Sequence, residues 1–268
     1  MTARTFLKLG GALLTEKGGR EAVRADVLAR LAGEIAAWRP ARGGRLVLFH
    51  GSGSFGHVAA RETRFLEHPG DSLAHARVAA SARRLDGLVV DALITAGLPA
   101  VGVPGGLVVT CTDGRITAVR ADVVLDVIDA GLLPALYGDA TPDRARGGTI
   151  ASTEPLMIAL AEPLAAARIV LATDVDGVFG GDPHVDAGAT RLDVITPADR
   201  DRVATFLGGA RAGTPDVSGG MSSKVLGMLD LVARRPETEV RILSGLRPGA
   251  VAAALAGEAA AGGTLIRA

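Results

Sequence analysis

The chain carries 29 basic residues, of which only Lys8, Lys17 and Lys224 are lysines; the rest are arginine. Each lysine lies beside glycines or in a turn-like segment: KLGG, LTEKGGR and SGGMSSK. A coding bias toward arginine explains the shortage but not this placement. An ammonium is a compact point charge on a flexible stem, whereas a guanidinium is a broad planar fork, so a tight phosphate site can admit the first and refuse the second. A second set of residues points the same way. RLVLFHGSGSFGH, residues 45–57, is a short apolar run that empties into Gly51, Gly53 and Gly56 and closes on His57. Glycines let backbone N–H groups close on an anion, and a helix N-terminus adds partial positive charge. The same spacing satisfies the G-x-G-x-x-G of dinucleotide sites. That fingerprint also needs a second strand ending in an acidic residue roughly 20 positions on, and the stretch after His57 reads as helical and polar instead. An anion is what the loop and the three ammoniums share, and together they suggest phosphoryl chemistry.

Holding such residues takes elements that end at one place. RTFLKL, residues 4–9, reads as a strand that stops at Gly10 and Gly11. Apolar residues at Val23, Val27, Leu28, Leu31 and Ile35 give a helical period over 21–38. A strand over 45–50 feeds the glycine loop, and a long helix is expected over 72–96. LPAVGV follows as a buried strand, and LVVTCTDGRITAV alternates on both sides of Asp113-Gly114, a hairpin signal. A helix over 121–131 precedes LLPALYGDA, read as a strand finishing in a Gly-Asp turn. The second half repeats the rhythm: a helix near 154–166, the strand RIVLAT over 168–173, then DVDGVFGGDP. Helices near 197–208 and from Gly220 to Arg234, a strand over 239–244, a helix over 248–256 and a strand over 263–267 complete it. Strands alternating with helices imply a mainly parallel sheet covered on both faces. The expected fold is therefore α/β, a three-layer α/β/α sandwich forming one domain over 1–268 with the hairpins as decoration. Ligands in such sheets gather at the carboxyl ends of the strands, where these glycines and acids fall.

Composition narrows the field further. A chain of 268 residues with 48% hydrophobic content can bury roughly three quarters of its unfolded surface. Its net charge is zero, which advertises neither nucleic acid nor an anionic membrane. There is no apolar run of about 18 residues to span a bilayer and no charged-then-apolar leader. The single cysteine, Cys111, cannot form an internal disulfide, and a cytoplasmic protein is expected.

In chain order, KLGG, HGSGSFGH, YGDA, ATDVDGVF and DVSGGMSSK resemble the motifs of the amino acid kinase family over the full length of the chain. Within that family, the F-G-H that closes the glycine loop and the stretch ARRLDGLVVDALITAGLPAVGVPGGLVV are similar to the isopentenyl phosphate kinases, with the fosfomycin kinases as near relatives. The resemblance implies transfer of the γ-phosphoryl group of ATP, with Mg²⁺, onto the phosphate of isopentenyl phosphate. It also implies a homodimer, an N-terminal part that binds the acceptor and a C-terminal part that binds ATP. Lys8 would bridge donor and acceptor, Gly10, Gly11 and Gly53 would offer backbone to ATP, and Lys17 would sit over the β- and γ-phosphates. Lys224, after Gly219 and Gly220, would meet those phosphates from the other side, and Asp174 and Gly177 would line the nucleotide pocket. Ser52, Gly56, His57 and Ser152 would hold the acceptor phosphate. His50 is expected to be structural, and Asp176 to fix a turn.

The chain departs from the pattern at TIASTEPLMIAL. Isopentenyl phosphate kinases usually show a Gly-Asp-Asp run here; this chain has Ser152, Thr153 and Glu154, closer to the Ser-Ser-acid run of the fosfomycin kinases. The acceptor is thus open between isopentenyl phosphate and a phosphonate. A nucleotide-binding regulatory protein without turnover and a dehydrogenase are the rivals from other classes.

Overall fold

RTFLKL forms β1 (Arg4–Leu9), and the alternation of its side chains decides which residues meet in the site. Phe6 joins the core on one face of the sheet, while Leu7 and Leu9 join the core on the other. Lys8, two residues on from Phe6, shares the Phe6 face. The computed structural model describes residues 3–16, 18–38, 46–180, 188–209 and 220–268.

From β1 the chain passes through the short turn α1 (Gly11–Leu14) to α2 (Ala25–Trp38), then β2 (Leu46–His50), α3 (Gly53–Glu62) and α4 (Ser72–Thr95). β3 (Ala100–Pro104), α5 (Gly105–Val108), β4 (Val109–Thr112), β5 (Arg115–Val119), α6 (Ala121–Asp129) and β6 (Leu133–Tyr137) follow. The next segment is a hairpin, β7 (Asp139–Asp143) and β8 (Gly147–Ala151), leading into α7 (Thr153–Ala161) and β9 (Ala166–Thr173). Three short strands, β10 (Val178–Phe179), β11 (Arg191–Leu192) and β12 (Val194–Ile195), precede α8 (Arg200–Gly209) and α9 (Gly220–Arg234). β13 (Glu239–Ser244), α10 (Ala250–Ala256) and β14 (Thr264–Ile266) end the described chain.

The main sheet runs β12-β14-β13-β9-β1-β2-β6-β3, with every neighbouring pair parallel except β13 with β14. On the Phe6 face α6, α7 and α9 contribute Ile128, Leu156, Leu160, Val225 and Met228 to the core. On the other face α2, α4 and α10 contribute Leu31, Ile35, Leu85, Val89 and Val251. This is the three-layer, mainly parallel arrangement read from the sequence.

Several elements differ from the expectation: the helix expected near 154–166 ends at Ala161, and β9 already begins at Ala166. The helix expected from residue 21 starts at Ala25, because Thr15 pairs with Val23 in an isolated bridge that closes the intervening loop. In LLPALYGDA the strand ends at Tyr137 as expected, but Gly138-Asp139 does not close it in a turn: Asp139 begins β7, which pairs antiparallel with β8. That hairpin lacks apolar alternation and is pinned instead by the Asp143 carboxylate, which accepts from the backbone N–H groups of Asp113, Gly114, Ala145 and Arg146. Burial pushes this carboxyl up, but the four donors outweigh it and hold it at about 2. The same carboxylate thereby joins β7–β8 to the turn of the β4–β5 hairpin, where Asp113 and Gly114 both have positive φ, as a tight hairpin turn requires.

Candidate functional site

β1 delivers Lys8 one residue before its end, facing α7 and α9. Glu154 is the second residue of α7, and Lys224 the fifth of α9. The Lys8 ammonium donates to Glu154 Oε1, and Lys224 Nζ lies 3.6 Å from that same oxygen. The cluster is largely withdrawn from water: the side chains are 8% exposed at Lys8, 14% at Glu154 and 18% at Lys224. Burial alone would raise the Glu154 carboxyl; the Lys8 and Lys224 charges beside it overcome that and hold it at about 2. Two ammoniums from distant parts of the chain are thus fixed around one carboxylate, with net positive charge left over.

Two glycine loops meet beside this cluster at the carboxyl ends of β1 and β2. Gly10 N–H donates to Ala172 O at 2.8 Å and Gly51 N–H to Leu9 O at 3.0 Å, so both loops leave the sheet still bonded to it. They approach backbone to backbone. A Cβ on Gly11 would lie 2.5 Å from Gly53 N, and one on Gly51 would lie 2.9 Å from Gly11 N, so a side chain at either would force the loops apart. Gly53 itself has φ +49°. Thr15 staples the two loops together, its hydroxyl donating to Gly11 O and accepting from Ser54 N–H, both at 2.9 Å. Ser52 precedes α3, and its hydroxyl occupies the space a Cβ on Gly56 would need; Gly56 N–H donates to Ser52 O at 3.2 Å. His57 is the fifth residue of α3 and is partly exposed.

His50 is fully buried: its Nε2 lies 3.1 Å from Asp86 Oδ1, its Nδ1 3.3 Å from Gly51 O, and its ring stacks on Tyr137 with centroids 5.5 Å apart. Ser152 stands at the N-cap position of α7 without a side-chain capping bond and is partly exposed, while the adjoining Thr153 is buried. Toward the nucleotide end, the Thr173 hydroxyl accepts from Val175 N–H at 3.0 Å and shapes the turn that carries Asp174. Gly177 closes this turn with φ +110°. Asp176 accepts from Arg191 at 2.7 Å and from Ser244 N–H at 3.3 Å, fixing the turn against β11 and β13. Lys17 and Gly219 lie outside the described residues.

The structure therefore gathers Lys8, Lys224, Gly10, Gly11, Ser52, Gly53, Gly56, His57, Ser152, Asp174 and Gly177 at the carboxyl ends of β1, β2 and β9 and the starts of α3, α7 and α9. Sequence reasoning left Glu154 without a role. The available signal was a lone carboxylate opening an apolar helix and a lone lysine in an apolar strand: each needs a partner when buried.

A model of the amino acid kinase family matches residues 3–244. The chain belongs to the amino acid kinase family. Among its curated relatives, the isopentenyl phosphate kinase of Methanothermobacter thermautotrophicus is 32% identical over 263 residues, 94% of this chain and 95% of that protein. The isopentenyl phosphate kinase of Haloferax volcanii is 32% identical over 256 residues, 91% of this chain and 96% of that one. An isopentenyl phosphate kinase solved by X-ray crystallography superposes with a TM-score of 0.81 at 29% identity, over 98% of this chain and all of the other. The Thermoplasma acidophilum isopentenyl phosphate kinase in its product complex gives a TM-score of 0.78 at 26% identity, over 99% of this chain and 100% of that one. The family's fold and the three-layer sheet described above are the same architecture.

Proposed function

We propose that this protein transfers the γ-phosphoryl group of ATP to the phosphate of isopentenyl phosphate, giving ADP and isopentenyl diphosphate. The observation that carries the reading is the convergence of Lys8 and Lys224 on buried Glu154 beside two interlocked glycine loops. Near-full-length likeness to isopentenyl phosphate kinases supports the acceptor.

In this reading an oxygen of the acceptor phosphate, already anionic at neutral pH, attacks the γ-phosphorus while the bond from that phosphorus to the bridging oxygen of ADP breaks. No general base is required. What the protein must supply is neutralisation of two anions, in-line placement and donors to the equatorial oxygens. Lys8 bridges donor and acceptor, Lys224 and Lys17 meet the ATP phosphates, and the Gly10, Gly11 and Gly53 backbone lines their path. Glu154 holds the Lys8 and Lys224 side chains aimed at one place. His57 donates to the acceptor phosphate with Ser52, Gly56 and Ser152 around it, and Asp174, Gly177 and Gly219 line the nucleotide pocket. The N-terminal part of a single domain thus holds the acceptor and the C-terminal part the nucleotide. Among the described residues no group of three or more His, Cys, Asp or Glu is placed to hold a metal ion. Mg²⁺ would therefore come with ATP, held by phosphate oxygens and water. The reading includes a homodimer working in the cytoplasm, where the free thiol of Cys111 stays reduced. No helix among the described residues is long and apolar enough to cross a membrane.

The Ser152-Thr153-Glu154 run, closer to that of the fosfomycin kinases, with the partly exposed Ser152 hydroxyl at the start of α7, favours one second reading, a phosphonate acceptor of the fosfomycin type. A panel decides: ADP release from ATP and Mg²⁺ with isopentenyl phosphate, dimethylallyl phosphate, fosfomycin or amino acids. The highest kcat/KM is expected with isopentenyl phosphate. Faster turnover of fosfomycin would replace the acceptor, and ATP binding without ADP release under any acceptor would replace the enzyme with a regulatory protein.

A further inference from the structure

We propose that Thr153 is a positioning residue whose hydroxyl sets the separation between the acceptor loop and the lysine–carboxylate cluster. The proposal rests on the functional reading above and adds a specific residue to it.

Thr153 is 4% exposed and opens α7, immediately before Glu154. A threonine hydroxyl inside a helix usually donates to a carbonyl one turn back. At the first position of α7 there is no preceding turn, and Thr153 Oγ1 instead reaches across to donate to His50 O at 3.1 Å. His50 is the last residue of β2, and the next residue, Gly51, begins the glycine loop. Its carbonyl is a fixed target: the ring is held by Asp86 on one side and stacked on Tyr137 on the other. Gly138 N–H also donates to that carbonyl, at a long 3.4 Å. α7 is seated close here, since a Cβ on Gly138 would lie 3.0 Å from Thr153 Oγ1.

One hydroxyl therefore ties the residue before the acceptor loop to the residue before the carboxylate that aims Lys8 and Lys224. If the bond is lost, loop and cluster can drift apart by fractions of an ångström, and a misplacement of about 1 Å can cost on the order of a hundredfold in rate. The bond also fixes a polarity: the carbonyl can only accept, so residue 153 must donate. Valine keeps the shape of threonine and removes the donor; serine keeps the donor and removes the methyl group.

The test compares wild type, Thr153→Val and Thr153→Ser on isopentenyl phosphate, with amide hydrogen exchange over residues 51–57 followed in the absence of acceptor. The proposal expects kcat to fall about tenfold or more in the valine variant, with KM for ATP within about twofold of wild type and serine recovering most of the rate. It also expects faster exchange over 51–57 in the valine variant alone. Wild-type kcat in the valine variant overturns it, as does equal impairment in the serine variant, or a rise in KM for ATP matching the fall in kcat. If wild type fails to turn over isopentenyl phosphate, the acceptor assignment falls, and the exchange comparison still decides the positioning role: acceleration in valine but not serine upholds it, and unchanged exchange in valine overturns it.

Discussion

Glu154 keeps its negative charge where burial alone would extinguish it, and the two ammoniums beside it are the reason. Because the folded carboxyl sits at about 2 and an ordinary glutamate at 4.5, this group stabilises the fold fully above 4.5, and the contribution is lost as pH falls through about 2. Removing the carboxylate from a buried cluster leaves charge uncompensated, at a cost of about 3 kcal/mol. Glu154→Gln is therefore expected to lower the urea midpoint clearly at pH 7 and by progressively less toward pH 2, and to reduce kcat at least tenfold by freeing Lys8 and Lys224. Urea titrations at three pH values, with steady-state kinetics at pH 7, check both parts; a midpoint difference that does not change with pH would contradict the account. The sequence made Lys8 and Lys224 legible because lysine is scarce in this chain. It could not pair them, since the pairing depends on strand parity in β1 and on α7 and α9 packing against the same face.

At the scale of elements, what was legible followed from periodicity. α4 and α9 were readable because their apolar residues recur at the period of a helix over enough length, and β1 because a short apolar run stops at Gly10 and Gly11. The β7–β8 hairpin was not, because DATPDRARGGTIA contains a proline, several charges and no alternation. Its stability lies in one side chain meeting four backbone N–H groups, two of them about 30 residues away in another hairpin. Asp143→Ala is expected to speed amide exchange at residues 113, 114, 145 and 146 and in β7 and β8, while α2 and α10 on the far face keep wild-type protection. Exchange by mass spectrometry resolves these segments, and unchanged protection in both hairpins would mean that something else holds them. The hairpin matters to function because β8 leads directly into α7, the helix that carries Thr153 and Glu154.

For the molecule as a whole, two carboxyls pull stability in opposite directions with pH. Burial lifts Asp139 to about 7, with the Ala140 N–H and Arg83 opposing and the Asp86 charge adding to it, and its Oδ1 has no hydrogen-bond partner among the described residues. A raised acid stabilises the fold fully below its ordinary value, here 3.8, and loses that contribution as pH rises through about 7. With Glu154 acting in the other sense, these two groups together favour the fold most at about pH 4, between the ordinary values of the two carboxyls. Asp139→Asn should raise Tm relative to wild type at pH 8 and give no gain at pH 4; a gain independent of pH would contradict this. The larger organisation, a parallel sheet whose carboxyl ends gather glycines and scarce lysines, was visible in sequence order, but which face Lys8 and Lys224 take was settled only by the packed layers. The central claim is that compact ammonium charges, Lys8 foremost, let two phosphate groups meet. Its most direct test is kcat for ADP formation from ATP and isopentenyl phosphate in Lys8→Arg, which keeps the charge and changes its shape. The account predicts a loss of on the order of a hundredfold or more with ATP affinity retained; a wild-type kcat in that variant would contradict it.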